Sequence, residues 1–145
     1  NGPSSDSAPV HGLVEAVADL AHGIRVMREP TRGGLAAVLN EIVEDGARGI
    51  ELEEAALPLS AGVRGVAEML GLDPLHAASE GRIVVVCDPA LTPTILARWK
   101  TLDNGAGAAR IGSVVEAPGR VHLRAVTGGR RLVDVPRGEL LPRIC

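Results

Sequence analysis

Aromatic residues are almost missing from this chain: among its 145 residues there is no Phe and no Tyr, and Trp99 is the single Trp. A core must therefore be built from Ala, Val, Leu and Ile, and a surface that stacks bases or sugars on rings has one ring to work with. An excess of positive charge is missing too. Fifteen Lys and Arg stand against 18 Asp and Glu, a net charge of −3 without the basic footprint of a nucleic-acid binder. Long apolar runs are absent: the longest, Ile83-Val84-Val85-Val86-Cys87, is about a quarter of the roughly twenty residues a membrane helix needs, so no span is expected. Cysteine is scarce. Cys87 and Cys145 could close at most one bridge, far from the framework of a small secreted domain, and a reducing cytoplasm is the expected compartment.

What is present suits one ordinary soluble domain, with 46% hydrophobic and 23% charged residues. Residues 1–9 are polar and proline-containing, with neither an initiator Met nor a signal pattern, and read as a linker or cut point of something longer. Residues 10–135 carry the periodic elements. Leu13, Val14, Val17, Leu20 and Ala21 recur at helical spacing, with Gly23 placed to end the helix. Ile24 to Met27 reads as a strand. Thr31 is expected to cap a helix striped by Leu35, Val38, Leu39, Ile42 and Val43 and stopped by Gly46. Ile50 to Glu53 alternates as a strand, Ser60 opens a helix that Gly71 closes, and Arg82 to Cys87, apolar on both faces, is expected to be a central strand covered on both sides. Thr92-Pro93 opens a fourth helix. Ile111 to Val115, Val121 to Val126 and Leu132 to Val135 then read as strands, the last two joined by a turn at Gly128-Gly129. The order α-β-α-β-α-β-α-β-β-β predicts an α/β (α+β) fold with a mixed β-sheet flanked by helices. Residues 136–145 lose all periodicity and are expected to form a flexible C-terminal tail.

Three segments could carry chemistry. In Glu29-Pro30-Thr31-Arg32-Gly33-Gly34 a strand turns into a helix. The glycines let backbone or ligand approach the helix start, whose N–H groups favour an anion, and Arg32 adds positive charge; the alternative is a tight turn whose glycines serve packing. In Ser79-Glu80-Gly81 the carboxylate could move protons at the edge of a site or simply be a solvated charge. In Pro142-Arg143-Ile144-Cys145 a thiol is the last side chain, with Arg143 offsetting the terminal carboxylate. That cysteine is either a nucleophile with reach or an incidental end. A prenylation signal is excluded, because it needs three residues after the cysteine. Cys87 lies inside an apolar run and reads as a small buried hydrophobe. His11, His22, His76 and His122 are scattered without metal-ligand spacing, so no metal site is expected.

Together, the turn Met27 to Leu35, the Ser79-Glu80-Gly81 turn before Ile83 to Asp88, and the terminal Pro142-Arg143-Ile144-Cys145 resemble the C-terminal half of the HypE family of hydrogenase maturation factors, within the PurM-like (AIR synthetase) superfamily. The family usually has Asp where this chain has Glu29. The resemblance implies a PurM C-terminal-domain-like sandwich and a specific activity. Cys145 would accept a carbamoyl group from the carbamoyltransferase HypF, and an ATP-dependent dehydration would convert it to a thiocyanate whose cyanide passes to iron on the HypC–HypD scaffold of the [NiFe] centre. Glu80 matches a glutamate that assists deprotonation of the carboxamide. The Arg32-Gly33-Gly34 helix start, with Glu29, Thr31 and Arg143, would help hold the tail or a phosphate. ATP and magnesium ligands and most homodimer contacts would come from the N-terminal half of the family, so no cofactor and no activity are expected of this chain alone. The competing readings are half of another PurM-like enzyme, of the selenophosphate synthetase or thiamine-phosphate kinase type, and a non-catalytic docking module.

Overall fold

Helices and strands alternate in the expected order. The computed structural model describes Ser5 and residues 7–135. Helix α1 (His11–Glu15) leads through a 3-10 stretch (Ala18–Gly23) to β1 (Ile24–Arg28), α2 (Gly34–Ile42), β2 (Gly49–Glu53), α3 (Ala61–Leu70), β3 (Val84–Cys87), α4 (Thr92–Trp99), β4 (Gly112–Val115), β5 (Val121–Arg124) and β6 (Arg130–Leu132). Several ends are made by the residues expected to make them. Ser60 Oγ accepts the Val63 N–H at 3.2 Å, Gly71 closes α3 at φ 67°, and Gly128 turns the β5–β6 hairpin at φ 88°. The first helix is shorter than its apolar spacing predicts. After α1 the chain tightens into the 3-10 stretch, which brings Val17, Leu20 and Gly23 onto one side at three residues per turn. Gly23 is there for space rather than for a left-handed bend, since the Leu91 side chain fills the place its Cβ would take.

Among the described residues the expected mixed sheet is present, flanked by helices, together with a second, smaller sheet. One has the order β4-β2-β5-β6, with β2 and β5 parallel and the outer pairs antiparallel; the other is an antiparallel ribbon of β1 and β3. Strand β3 is therefore not central among the described residues. Its sequence is apolar on both faces for another reason: Val84 belongs to one core, whereas Ile83, Val85 and Cys87 pack against a second. Strand β6 also starts two residues earlier than read, immediately after the Gly128-Gly129 turn, and Val133 just beyond it is fully buried, with its N–H still bonded to the Val121 carbonyl of β5.

The first core lies between α2 and the four-stranded sheet, with Ala36, Leu39, Ile50, Leu52, Val121 and Leu123 at its centre. Burying a side chain the size of Leu52 stabilises by roughly 1.5–3 kcal/mol, so an aliphatic core of this extent holds without aromatic rings. The second core gathers Leu13, Val17, Ile95 and Trp99. The indole N–H of Trp99 donates to the Leu13 carbonyl at 2.8 Å, which satisfies its polar atom inside that core. The outer face of the larger sheet is charged. Arg124 hydrogen-bonds Glu51 at 3.0 Å and holds its carboxyl below the usual range against the opposing effect of desolvation, with Arg130 at 3.6 Å adding to the lowering.

Candidate functional site

Strand β1 ends at Arg28, and Pro30 bars helix at Glu29, so the chain must turn before α2 can begin. The turn is closed by backbone bonds: the Thr31 N–H donates to the Glu29 carbonyl at 2.9 Å and the Gly34 N–H to the Thr31 carbonyl at 2.8 Å. Thr31 does not cap α2, contrary to expectation. Two successive left-handed glycines, Gly33 at φ 81° and Gly34 at φ 63°, bend the chain so sharply that Gly33 occupies the capping position, and no side chain caps it. The packing explanation for the glycine pair accounts for Gly34, where a Cβ would stand 2.5 Å from the carbonyl oxygens of both Leu75 and Ala77.

Gly34→Ala is accordingly expected to cost about 3 kcal/mol of stability, combining a left-handed alanine with a backbone collision. Gly71→Ala has the same sign of φ but nothing within 4 Å, and should lose only about 1 kcal/mol. Denaturant midpoints of the two variants check this, and equal losses would contradict it.

The chain segment against Gly34 leads directly to the second candidate. The Asp73 carboxylate accepts the Leu75 N–H at 3.0 Å and starts a 3-10 turn, Pro74–His76, that packs on α2. Beyond it the Ser79 N–H donates to the Pro30 carbonyl at 2.8 Å. The two turns singled out in the sequence, 50 residues apart, thus sit side by side. Pro30, Gly33, Gly34 and Gly81 are buried; Glu29, Thr31, Ser79 and Glu80 are half-buried; Arg32 is exposed. One carboxylate oxygen of Glu80, Oε1, lies below the surface. Arg82 donates to the Gly81 carbonyl at 3.1 Å. Arg143 and Cys145 lie outside the described residues.

The same place holds residues that sequence reasoning passed over. Val133 is fully buried, its N–H donating to the Val121 carbonyl at 2.8 Å and its carbonyl accepting from Asn40 Nδ2 at 2.9 Å. His76 Nε2 stands 3.2 Å from the Asp134 carbonyl, and Arg131 pairs with Asp73 at 2.7 Å. Asn40 carried a signal: a side chain that competes with helix backbone, placed among the apolar residues of α2, asks for a tertiary partner. His76 carried none, because its partner is a backbone carbonyl 58 residues away. Among the described residues no group of three or more His, Cys, Asp or Glu could hold a metal, and no helix is long and apolar enough to cross a membrane.

Comparison with known proteins agrees with the resemblance read from the motifs. The carbamoyl dehydratase HypE of Cupriavidus necator is 47% identical over 143 residues, which cover 97% of this chain and 40% of that protein. A crystal structure of the hydrogenase maturation protein HypE in complex with ATP superposes with a TM-score of 0.88 at 37% identity, covering 97% of this chain and 44% of that one. A HypE–HypF complex gives 0.86 at 39% identity, covering 91% and 43%. The chain thus spans about two fifths of the length of the curated relatives it matches. The match to the family described as AIR synthase related protein, C-terminal domain, runs over residues 1–124, and the chain belongs to that family.

Proposed function

We propose that this chain is the C-terminal half of a carbamoyl dehydratase of the HypE type, acting in the cytoplasm in the maturation of [NiFe] hydrogenase. The observation that carries this reading is the bond from Ser79 N–H to the Pro30 carbonyl. It joins the two motif turns, and His76, three residues before Ser79, meets the Asp134 carbonyl. From His76 to Glu80 the chain can span at most about 14 Å, and the ten residues that follow Val135 can reach at most about 36 Å, so Cys145 has the length to meet Glu80. Residues 10–135 are then the working domain, 1–9 the joint to the N-terminal half, and 136–145 the arm that carries the thiol.

In the reaction Cys145 first holds a carbamoyl group as S–C(=O)–NH2, received from HypF; a HypE relative has been crystallised with that partner. An amide oxygen is a poor leaving group. Its attack on the γ-phosphorus of ATP releases ADP and turns it into a phosphate ester, after which the C–O bond breaks, phosphate departs and the carbon–nitrogen bond becomes the triple bond of S–C≡N. The nitrogen must lose two protons on the way, and Glu80 takes one of them as general base. Arg32 and the turn Glu29 to Gly34 border this place, with Arg143 brought by the arm, and hold the arm or a phosphate there. ATP, which a solved HypE relative binds, and its magnesium are held mostly by the N-terminal half, which also makes most of the homodimer contact. Among the described residues no group of three or more His, Cys, Asp or Glu could hold the ion by itself. The HypC–HypD scaffold receives the cyanide.

Mass spectrometry of the whole protein after incubation with HypF, carbamoyl phosphate and ATP tests the reading. A carbamoyl group confined to Cys145 and then replaced by thiocyanate is expected, and a Cys145 that stays unmodified sinks it. Residues 1–145 alone are expected to show no micromolar ATP affinity by calorimetry; such an affinity would overturn the division of labour between the halves.

A further inference from the structure

The chain stays fixed beyond the end of β6. All three residues of β6 are exposed on an edge of the sheet, a place where a chain end ordinarily frays. Immediately beyond, Val133 is fully buried with both backbone groups bonded, and the Asp134 carbonyl meets His76. Besides the Val121 carbonyl of β5, which takes the Val133 N–H, the groups that fix it come from the elements that build the site. Asn40 lies on α2, whose first residue is Gly34, and donates both to Val133 and to the Ala36 carbonyl of its own helix. His76 lies in the turn against which Gly34 packs, four residues before Glu80.

We propose that Asn40 and His76 are positioning residues: they clamp residues 133 and 134 so that the arm leaves the domain at a set point beside the Glu80 turn. The inference rests on the functional reading above and adds a device to it. A thiol tethered near its target works at a high effective concentration, and that concentration falls when the root of the tether is free to swing. Neither residue is assigned a part in the chemistry itself. Their effect should therefore fall on the step in which the arm must meet Glu80 and spare the step in which HypF comes to the thiol.

The test uses the whole protein loaded at Cys145 by HypF and carbamoyl phosphate, then given ATP in a single turnover. His76→Ala removes a partly exposed contact, so its fold is not at risk. It is expected to slow conversion to thiocyanate about threefold, and the double variant with Asn40→Ala about tenfold. Loading by HypF should be unchanged, and His76→Gln, which again offers a donor, should recover most of the rate. Conversion at the wild-type rate in both variants overturns the clamp.

A second readout needs no activity. A nitroxide on Cys145, in a Cys87→Ser background, is expected to broaden the amide signals of residues 79–81, and to broaden them several-fold less in His76→Ala. Equal broadening in the two proteins also overturns the clamp. Reduced broadening in the variant, with a wild-type Cys145 that HypF never carbamoylates, leaves the clamp standing and removes the functional reading instead.

Discussion

Cys145→Ala in the whole protein is expected to abolish carbamoyl acceptance completely, with no mass gain on any peptide after incubation with HypF, carbamoyl phosphate and ATP. The expectation is all-or-none because the thiol becomes part of the product. Removing a group that forms the covalent bond leaves no slower version of the same route, unlike the loss of a side chain that only stabilises a transition state. Cys87 provides an internal control. It is half-buried in β3, 3.7 Å from Thr92 Oγ1 and packed against the second core, and it should stay unmodified in wild type and variant alike. Cys145→Ser sharpens the result, because a hydroxyl is far weaker as a nucleophile near neutral pH and should accept no detectable carbamoyl group. A modification that persists in Cys145→Ala would place the acceptor elsewhere and end the present reading.

Glu80→Gln separates the two halves of the reaction. The substitution keeps shape and removes the basic oxygen, so HypF should load Cys145 at the wild-type rate while conversion to thiocyanate slows by about 10²- to 10⁴-fold, the usual contribution of a positioned base. The carbamoylated protein should therefore accumulate. The location of Glu80 supports a role of this kind: it is half-buried, one carboxylate oxygen lies below the surface, and it is next to a residue bonded to the Pro30 turn. Normal conversion in Glu80→Gln would remove it as the base and shift attention to Glu29, the other half-buried carboxylate bordering the two turns.

Local chemistry made much of this fold legible. Ser60 and Gly71 bound α3 as read, and the glycine pair at 128 and 129 turns the hairpin. Those signals act within a few residues, where side-chain type decides backbone conformation. What was misread depends on distant partners. Nothing in the apolar run before Asp88 says that its two faces meet different cores, because a strand between two cores and a strand inside one sheet share a composition. Thr31 has the right chemistry for a cap, and it is displaced by the fit of Gly34 against carbonyls some 40 residues away. Both motif turns were found from sequence, and their adjacency was not, since it hangs on one backbone bond from Ser79 to Pro30.

The placement of β3 between two cores has a consequence for how the site can behave. The Glu80 turn feeds a strand gripped from opposite sides, by Val84 on one face and by Ile83, Val85 and Cys87 on the other. Tilting that strand would disturb both packings at once, and tightly packed interiors yield little to such tilts. The turn therefore behaves as a fixed anvil: whatever travels during the reaction has to come to it, and a substitution in either core that loosens β3 will be felt as a loss of aim before it is felt as a loss of fold.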